Sequence, residues 1–150
     1  MTPVIKSGTT VLNSVLLTPS SASASSVSGA WVATNALVRD GTWWMSGVDT
    51  NNEEWLQYDF GSPVLISGIY AAFTNGRNGA NNKIQGSTDG TTWTDLHTFD
   101  GSKFVYNING DNQQTYANTI AASAAYRYIR LYSAASPYCM YDFVQYSGVK

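Results

Sequence analysis

Chemistry-bearing side chains are scarce in this 150-residue chain, which has one cysteine, Cys139, and one histidine, His97. A single cysteine excludes an internal disulfide framework and any zinc site built from several thiolates. A Ser–His–Asp arrangement would have to use His97, which sits mid-strand in "WTDLHTF" with no nucleophile-elbow pattern nearby. We read it as a structural or surface residue. Glu53 and Glu54 are the only glutamates, and neighbours on a strand point to opposite faces, which is the wrong arrangement for a glycosidase pair across a cleft. No phosphate-cradling glycine loop or dinucleotide fingerprint occurs. On these grounds the chain is not expected to be an enzyme.

Charge is equally sparse. Charged residues make up 12% of the chain and the net charge is −2, about half the usual charged fraction. Without a basic block there is nothing to attract nucleic acid or an anionic bilayer. The opening "MTPVIKSGTTVLNSVLLTPSS" lacks the continuous apolar run of a signal peptide, and no stretch is long enough to span a membrane. Residues 1–10 read as a flexible leader to one domain covering residues 1–150. Serine, threonine, asparagine and glycine carry the solubility that charge does not.

What the chain does have is aromatics, 13% of residues, with five Trp and ten Tyr. These and the β-branched residues alternate with polar ones, and no helical period persists. Strands are predicted over Val11–Leu17, Trp55–Phe60, Val64–Phe73, Lys83–Ser87, Trp93–Phe99, Lys103–Ile108, Tyr126–Tyr132 and Tyr141–Tyr146. "STDGTTW", Ser87 to Trp93, is a hairpin signal, because Asp-Gly suits the positive backbone angles of a tight turn. "SSASASSVSGA", Ser20 to Ala30, reads as a surface loop inside the domain. The strand count and spacing suit an antiparallel sandwich or jelly roll.

Five stretches in order resemble the discoidin, or coagulation-factor type C, domain. They are "TPSSASASSVSGAWVATNALVRDG" with "TWW", "EWLQYDFGSPVLISGI", "STDGTTW", "RYIRLY" and "YDFVQYSG". Within that superfamily the chain is most similar to the galactose-binding-like carbohydrate-binding modules of family 32. The resemblance implies an all-β fold, a galactose-binding-like antiparallel β-sandwich (jelly roll), with function in loops at one end. It also implies that Trp55 fills the core and that Asp59 ties down the turn before Gly61 and Pro63. The chain departs from the pattern in three ways. It lacks the disulfide of animal members, Asp40-Gly41 meets Thr42 directly, and one extra residue precedes Gly148. The missing disulfide points to a bacterial or phage version.

The resemblance implies a glycan as partner, gripped by an arginine and asparagines under a stacked ring. Guanidinium and amide groups offer forked donors, and an aromatic face matches a patch of C–H bonds. In "FTNGRNGANNKI" these are Arg77, Asn78, Asn81 and Asn82, although such residues are also ordinary turn formers. Trp31, Trp43 and Tyr138 compete as the ring. Trp44 matches the family's buried tryptophan, so Trp43 should be pushed outward. The resemblance further implies a structural Ca²⁺ held by Asp40, backbone carbonyls near Asn35–Arg39, Thr42 and Asp142. The expected role is a non-catalytic, lectin-like adhesion module on an extracellular or virion surface, such as a phage tail or a bacterial surface assembly. It would act as a homo-oligomer or as one of many copies on a larger assembly. The alternative is a structural or protein-docking sandwich that binds no sugar.

Overall fold

From Glu54 to Thr74 buried and partly exposed residues alternate over most of the length, the period of a strand with one face on a core. The computed structural model describes residues 14–47, 53–74, 81–108, 113–134 and 138–150; the leader expected at 1–10 lies outside these. In chain order the strands are β1 (Val15–Leu17), β2 (Ser21–Ala24), β3 (Trp44–Met45), β4 (Glu54–Thr74), β5 (Lys83–Ser87) and β6 (Thr94–Thr98). They continue with β7 (Phe104–Ile108), β8 (Gln113–Thr119), β9 (Tyr126–Ser133) and β10 (Met140–Val149). Short 3-10 turns cover Ala33–Leu37 and Gly101–Lys103.

The strands form two antiparallel sheets that share β4. One sheet runs β2-β4-β9-β5-β6. The other runs β7-β8-β4-β10, with β1 and β3 both on the far edge of β10. The two strands expected over Trp55–Phe60 and Val64–Phe73 are therefore one strand that changes sheet. Glu54–Asp59 pairs with β9 and Gly68–Thr74 pairs with β8. The register breaks between Asp59 and Val64, where Gly61 takes φ 73°, an angle that a side chain would resist. Asp59 fixes this corner as expected: its Oδ1 accepts the Gly61 N–H at 2.7 Å. The Arg127 guanidinium grips both carboxylate oxygens at 2.9 Å.

The core between the sheets is unusually aromatic. Trp44, Tyr58, Phe73, Tyr116, Tyr141 and Tyr146 are all at most 2% exposed. Their polar tips need partners, and the Tyr58 hydroxyl lies 3.1 and 3.0 Å from the carbonyls of Ala36 and Val144. β10 closes tightly on β4. A Cβ at Gly148 would lie 2.2 Å from the Leu65 carbonyl oxygen, so only glycine lets the two backbones meet there.

Three expectations are corrected. Trp55 does not fill the core: the alternation in β4 turns Leu56, Tyr58 and Phe60 inward and Trp55 outward. The inward residue beside it is Glu54, fully buried, whose Oε2 accepts from the hydroxyls of Ser25 and Ser26. The Ser20–Ala30 stretch is not all loop, because Ser21–Ala24 is an edge strand on Leu56–Asp59. Strands β3 and β8 carried no alternating signal and were not expected. The hairpin at Ser87–Trp93 is present, with Gly90 at φ 77° and Asp89 accepting from the N–H groups of Thr91 and Thr92.

The corner carries an acid dependence. The Arg127 hydrogen bonds hold the Asp59 carboxyl below its ordinary pKa. A depressed folded pKa contributes stability that is present above the unfolded value, about 4, and lost as pH falls through the folded value. Asp59→Asn should lower the melting temperature at pH 6 and flatten its fall below about pH 4. Thermal melts of both proteins across pH 2–7 (roughly, the carboxylate range) check this, and parallel curves would contradict it.

Candidate ligand site at the loop end

Strand register collects several chain crossings at one end of the sandwich. Glu54 pairs with Ser133 and Lys83 with Tyr132 in one sheet, while Thr74 pairs with Gln113 and Phe73 with Tyr141 in the other. The connections β3–β4, β4–β5, β7–β8 and β9–β10 all leave from there. Rigid sheets that present loops at one end are a common basis for binding sites.

Here the segment before β3 folds back on itself. Trp31 bridges to Ser28, and its carbonyl accepts the Met45 N–H at 3.1 Å. Asn35 donates its side-chain amide to the Trp43 carbonyl at 3.0 Å. These ties stack Trp31 on Trp43, with ring centroids 4.1 Å apart and planes 14° from parallel. Trp44 turns inward at 1% exposure and donates its indole N–H to the Ser26 carbonyl. Trp43 is thereby turned away from the core, as expected, and remains partly exposed.

Beside Trp43 lies a cavity of about 270 Å³ whose walls include Arg39, Thr42, Thr74, Gln113 and Asp142. Asp142 Oδ2 accepts the Gln113 amide at 2.9 Å. Burial raises the Asp142 pKa, and the Gln113 bond and the Arg39 charge only partly oppose that. Arg39 also donates to the Tyr70 hydroxyl at 3.3 Å. The cavity thus offers an indole, a guanidinium, an amide, a hydroxyl and a carboxylate, the donor and acceptor mix that suits a polyhydroxylated ring. A larger hollow of about 830 Å³ lies on the outer face of the β10 sheet, lined by Ser14, Ser67, Tyr70, Lys103 and Asn118 among others. It is an open trough with two tyrosine rings, one of them buried, and one charge, so we assign the site to the smaller, better-equipped cavity.

The other expected site residues are placed as follows. Arg77 and Asn78 lie outside the described residues. Asn81 is exposed with φ 54°, a turn conformation that asparagine tolerates. Asn82 is 4% exposed, and its carbonyl accepts the Phe99 N–H; it faces the interior and cannot touch a ligand as it stands. Tyr138 is 40% exposed and immediately precedes Cys139, whose N–H is held by Ser46 Oγ. Arg39 and Gln113 were missed as side-chain contributors. Arg39 was read only for its carbonyl, and Gln113 opens a strand with no alternating signal.

The two carboxylates expected to hold calcium each already accept hydrogen bonds. Asp40 Oδ1 accepts the N–H and the hydroxyl of Thr42, closing its own turn. Asp142 is met by an amide and faced by a guanidinium, and no three of His, Cys, Asp and Glu converge among the described residues. Calcium needs six to eight oxygens. His97 is committed as well. The Tyr116 hydroxyl accepts from Asp100 N–H and Asn118 Nδ2, so its one hydrogen goes to His97 Nε2 at 2.7 Å. Burial lowers the His97 pKa, with Asp100 opposing. Neither it nor the enclosed Glu54 is presented to a substrate.

The F5/8 type C domain model matches residues 21–143. Among solved structures, the chain is similar to a chitosan-binding module of a chitosanase/glucanase from Paenibacillus sp. IK-5. The two are 26% identical with a TM-score of 0.62, over 88% of this chain and 96% of that one. It is similar to the family 32 module of C. perfringens NanJ solved with galactose, at 18% identity and a TM-score of 0.66, over 90% and 99%. It is also similar to the CBM32 of AlyQ solved with 4,5-unsaturated mannuronic acid, at 19% identity and a TM-score of 0.64, over 88% and 97%. No curated relative matches by sequence.

Two outcomes follow from the cavity. Asp142 has a folded pKa raised by burial, so its contribution is most favourable below its unfolded pKa and is lost as pH rises through the folded value. Asp142→Asn should therefore leave the melting temperature at pH 7 unchanged or raised; a clear fall would show the carboxylate to be stabilising. Chelator and added calcium should each shift the melting temperature by less than about 1 °C. A calcium-dependent rise would restore the metal site.

Proposed function

The chain belongs to the F5/8 type C domain family, and from that premise we propose that it is a non-catalytic carbohydrate-binding module. Its ligand site is the loop-end cavity, whose wall includes Thr74, the last residue of β4. The observation that carries this reading is Trp43, backed by the stacked Trp31, lining one hollow with Arg39, Gln113 and Asp142. A sugar ring presents C–H bonds on one face and hydroxyls at its rim. The first pack on the indole and the second exchange hydrogen bonds with the guanidinium, amide and carboxylate.

Two further points support it. The neighbours named above are carbohydrate-binding modules, the one at 26% identity a chitosan-binding module. The groups that hydrolysis would need, Glu54 and His97, are tied into the fold by Ser25, Ser26 and Tyr116. A hollow of this size suits one or two sugar units, and such shallow sites bind near the millimolar range, about −4 kcal/mol. Adhesion then calls for several copies, whose tethering raises avidity by roughly 10²–10⁴ without new contacts.

Glycan-array screening followed by calorimetry with the best glycan tests the reading. Trp43→Ala should weaken binding at least tenfold, about 1.4 kcal/mol, with circular dichroism unchanged. Arg77→Ala should take binding below detection, since it removes charge-assisted hydrogen bonds worth roughly 1.5–3 kcal/mol each. Normal binding by both variants would remove the site. Absence of any glycan hit for the wild type, with the fold intact, would favour a structural or docking domain.

A further inference from the structure

On the outer face of the β9 sheet a single arginine is enclosed by rings. Arg130 lies 4.0 Å from the Trp93 ring centroid, 5.0 Å from that of Tyr132 and 5.9 Å from that of Trp55. These residues come from three separate parts of the chain. Trp55 and Tyr132 are direct cross-strand partners, and Trp93 folds over from the β5–β6 hairpin. All four remain partly exposed. In a core these rings would need no further explanation, but here they are partly open to water.

The polar groups around the rings are set in order. Arg130 Nε donates to Gln85 Oε1 at 2.7 Å, and Gln85 Nε2 in turn donates to Asp95 at 2.6 Å. Lys83 pairs with Asp95, and the Tyr132 hydroxyl donates to Glu53. The Nε bond fixes the plane of the guanidinium while its two terminal nitrogens make no hydrogen bond among the described residues. Arg130 and Lys83 balance Glu53 and Asp95, so the patch has no net charge. It therefore offers nothing extra to a phosphate, a sulfate or an acidic peptide. What it offers is a fixed fork of donors, carboxylate acceptors and three ring surfaces.

We propose that this face, built from Trp55, Trp93, Arg130 and Tyr132, is a second saccharide-contact surface that takes a neutral sugar chain. It goes beyond the loop-end site and does not depend on it. The Trp31–Trp43 pair stands beside β3 on the far side of β10, whereas this platform lies on the opposite sheet. A chain held at both would be read over more units than either surface can cover alone. Two surfaces on one domain would also let it cross-link polysaccharide chains.

The indole N–H resonances of the five tryptophans can be followed while the protein is titrated with three neutral probes, galactose, an N-acetylglucosamine hexamer and an oligomannose. The expected result is a saturable shift of the Trp55 and Trp93 signals with at least one probe, retained in Trp43→Ala. Arg130→Lys keeps the charge but loses the fork and should weaken that titration at least tenfold. Unmoved Trp55 and Trp93 signals at about 10 mM of every probe, with Trp43 shifting, would overturn the platform and leave the loop-end site standing. Loss of their shift in a folded Trp43→Ala would overturn it as well. Shifts at Trp55 and Trp93 without Trp43 would support the platform and count against the loop-end site.

Discussion

The grip of Arg127 on Asp59 holds the corner on which both sheets depend. β4 is central to each sheet, and its course from one to the other runs through Gly61–Pro63. A strand that bends so sharply loses ladder hydrogen bonds. Asp59 compensates by accepting the Gly61 N–H, and the guanidinium from β9 fixes the carboxylate in place. Exposed ion pairs as a class contribute little. This one differs in being bidentate and in setting the angle between two halves of a core. With the corner fixed, Glu54 and Thr74 return to the same end of the sandwich.

That return assembles the candidate site. Trp43, Gln113 and Asp142 are far apart in the chain and meet because β3, β8 and β10 have ends on one side of the sandwich. Half-burying Asp142 opposes its ionised form. A carboxylate kept where the fold does not favour it is a physical indication of a binding role. Glu54 is the counterexample. It is more deeply buried, yet two serine hydroxyls hold it, and its effect is to anchor the segment before β3 rather than to meet a ligand.

The aromatics divide by the same geometry. Rings on inward positions of β4, β8 and β10 fill the core; the Tyr58 hydroxyl finds backbone carbonyls, and that of Tyr116 finds His97 and the Asp100 N–H. Rings on outward positions of β4 and β9 gather on Arg130. Strand parity decides which group a residue joins, so neighbours such as Trp43 and Trp44, or Glu54 and Trp55, have opposite fates.

The sequence by itself determined the class of fold, the Ser87–Trp93 hairpin and the turn role of Asp59. The first two follow from local chemistry, alternation and an Asp-Gly pair; the turn role of Asp59 was implied by the resemblance to the discoidin domain. It also carried the inward Trp44 and outward Trp43, once one of the two had been matched to a family position. It misassigned Trp55, because parity cannot be read from a strand whose first inward residue is a glutamate. It passed over β2 and β8, whose serines, alanines and glutamines carry no hydrophobic period and become strands only by pairing with β4. Arg39, Gln113 and the ring cluster on Arg130 were decided by tertiary structure alone. Those contacts join residues tens of positions apart, and their geometry exists only after β4 has turned its corner.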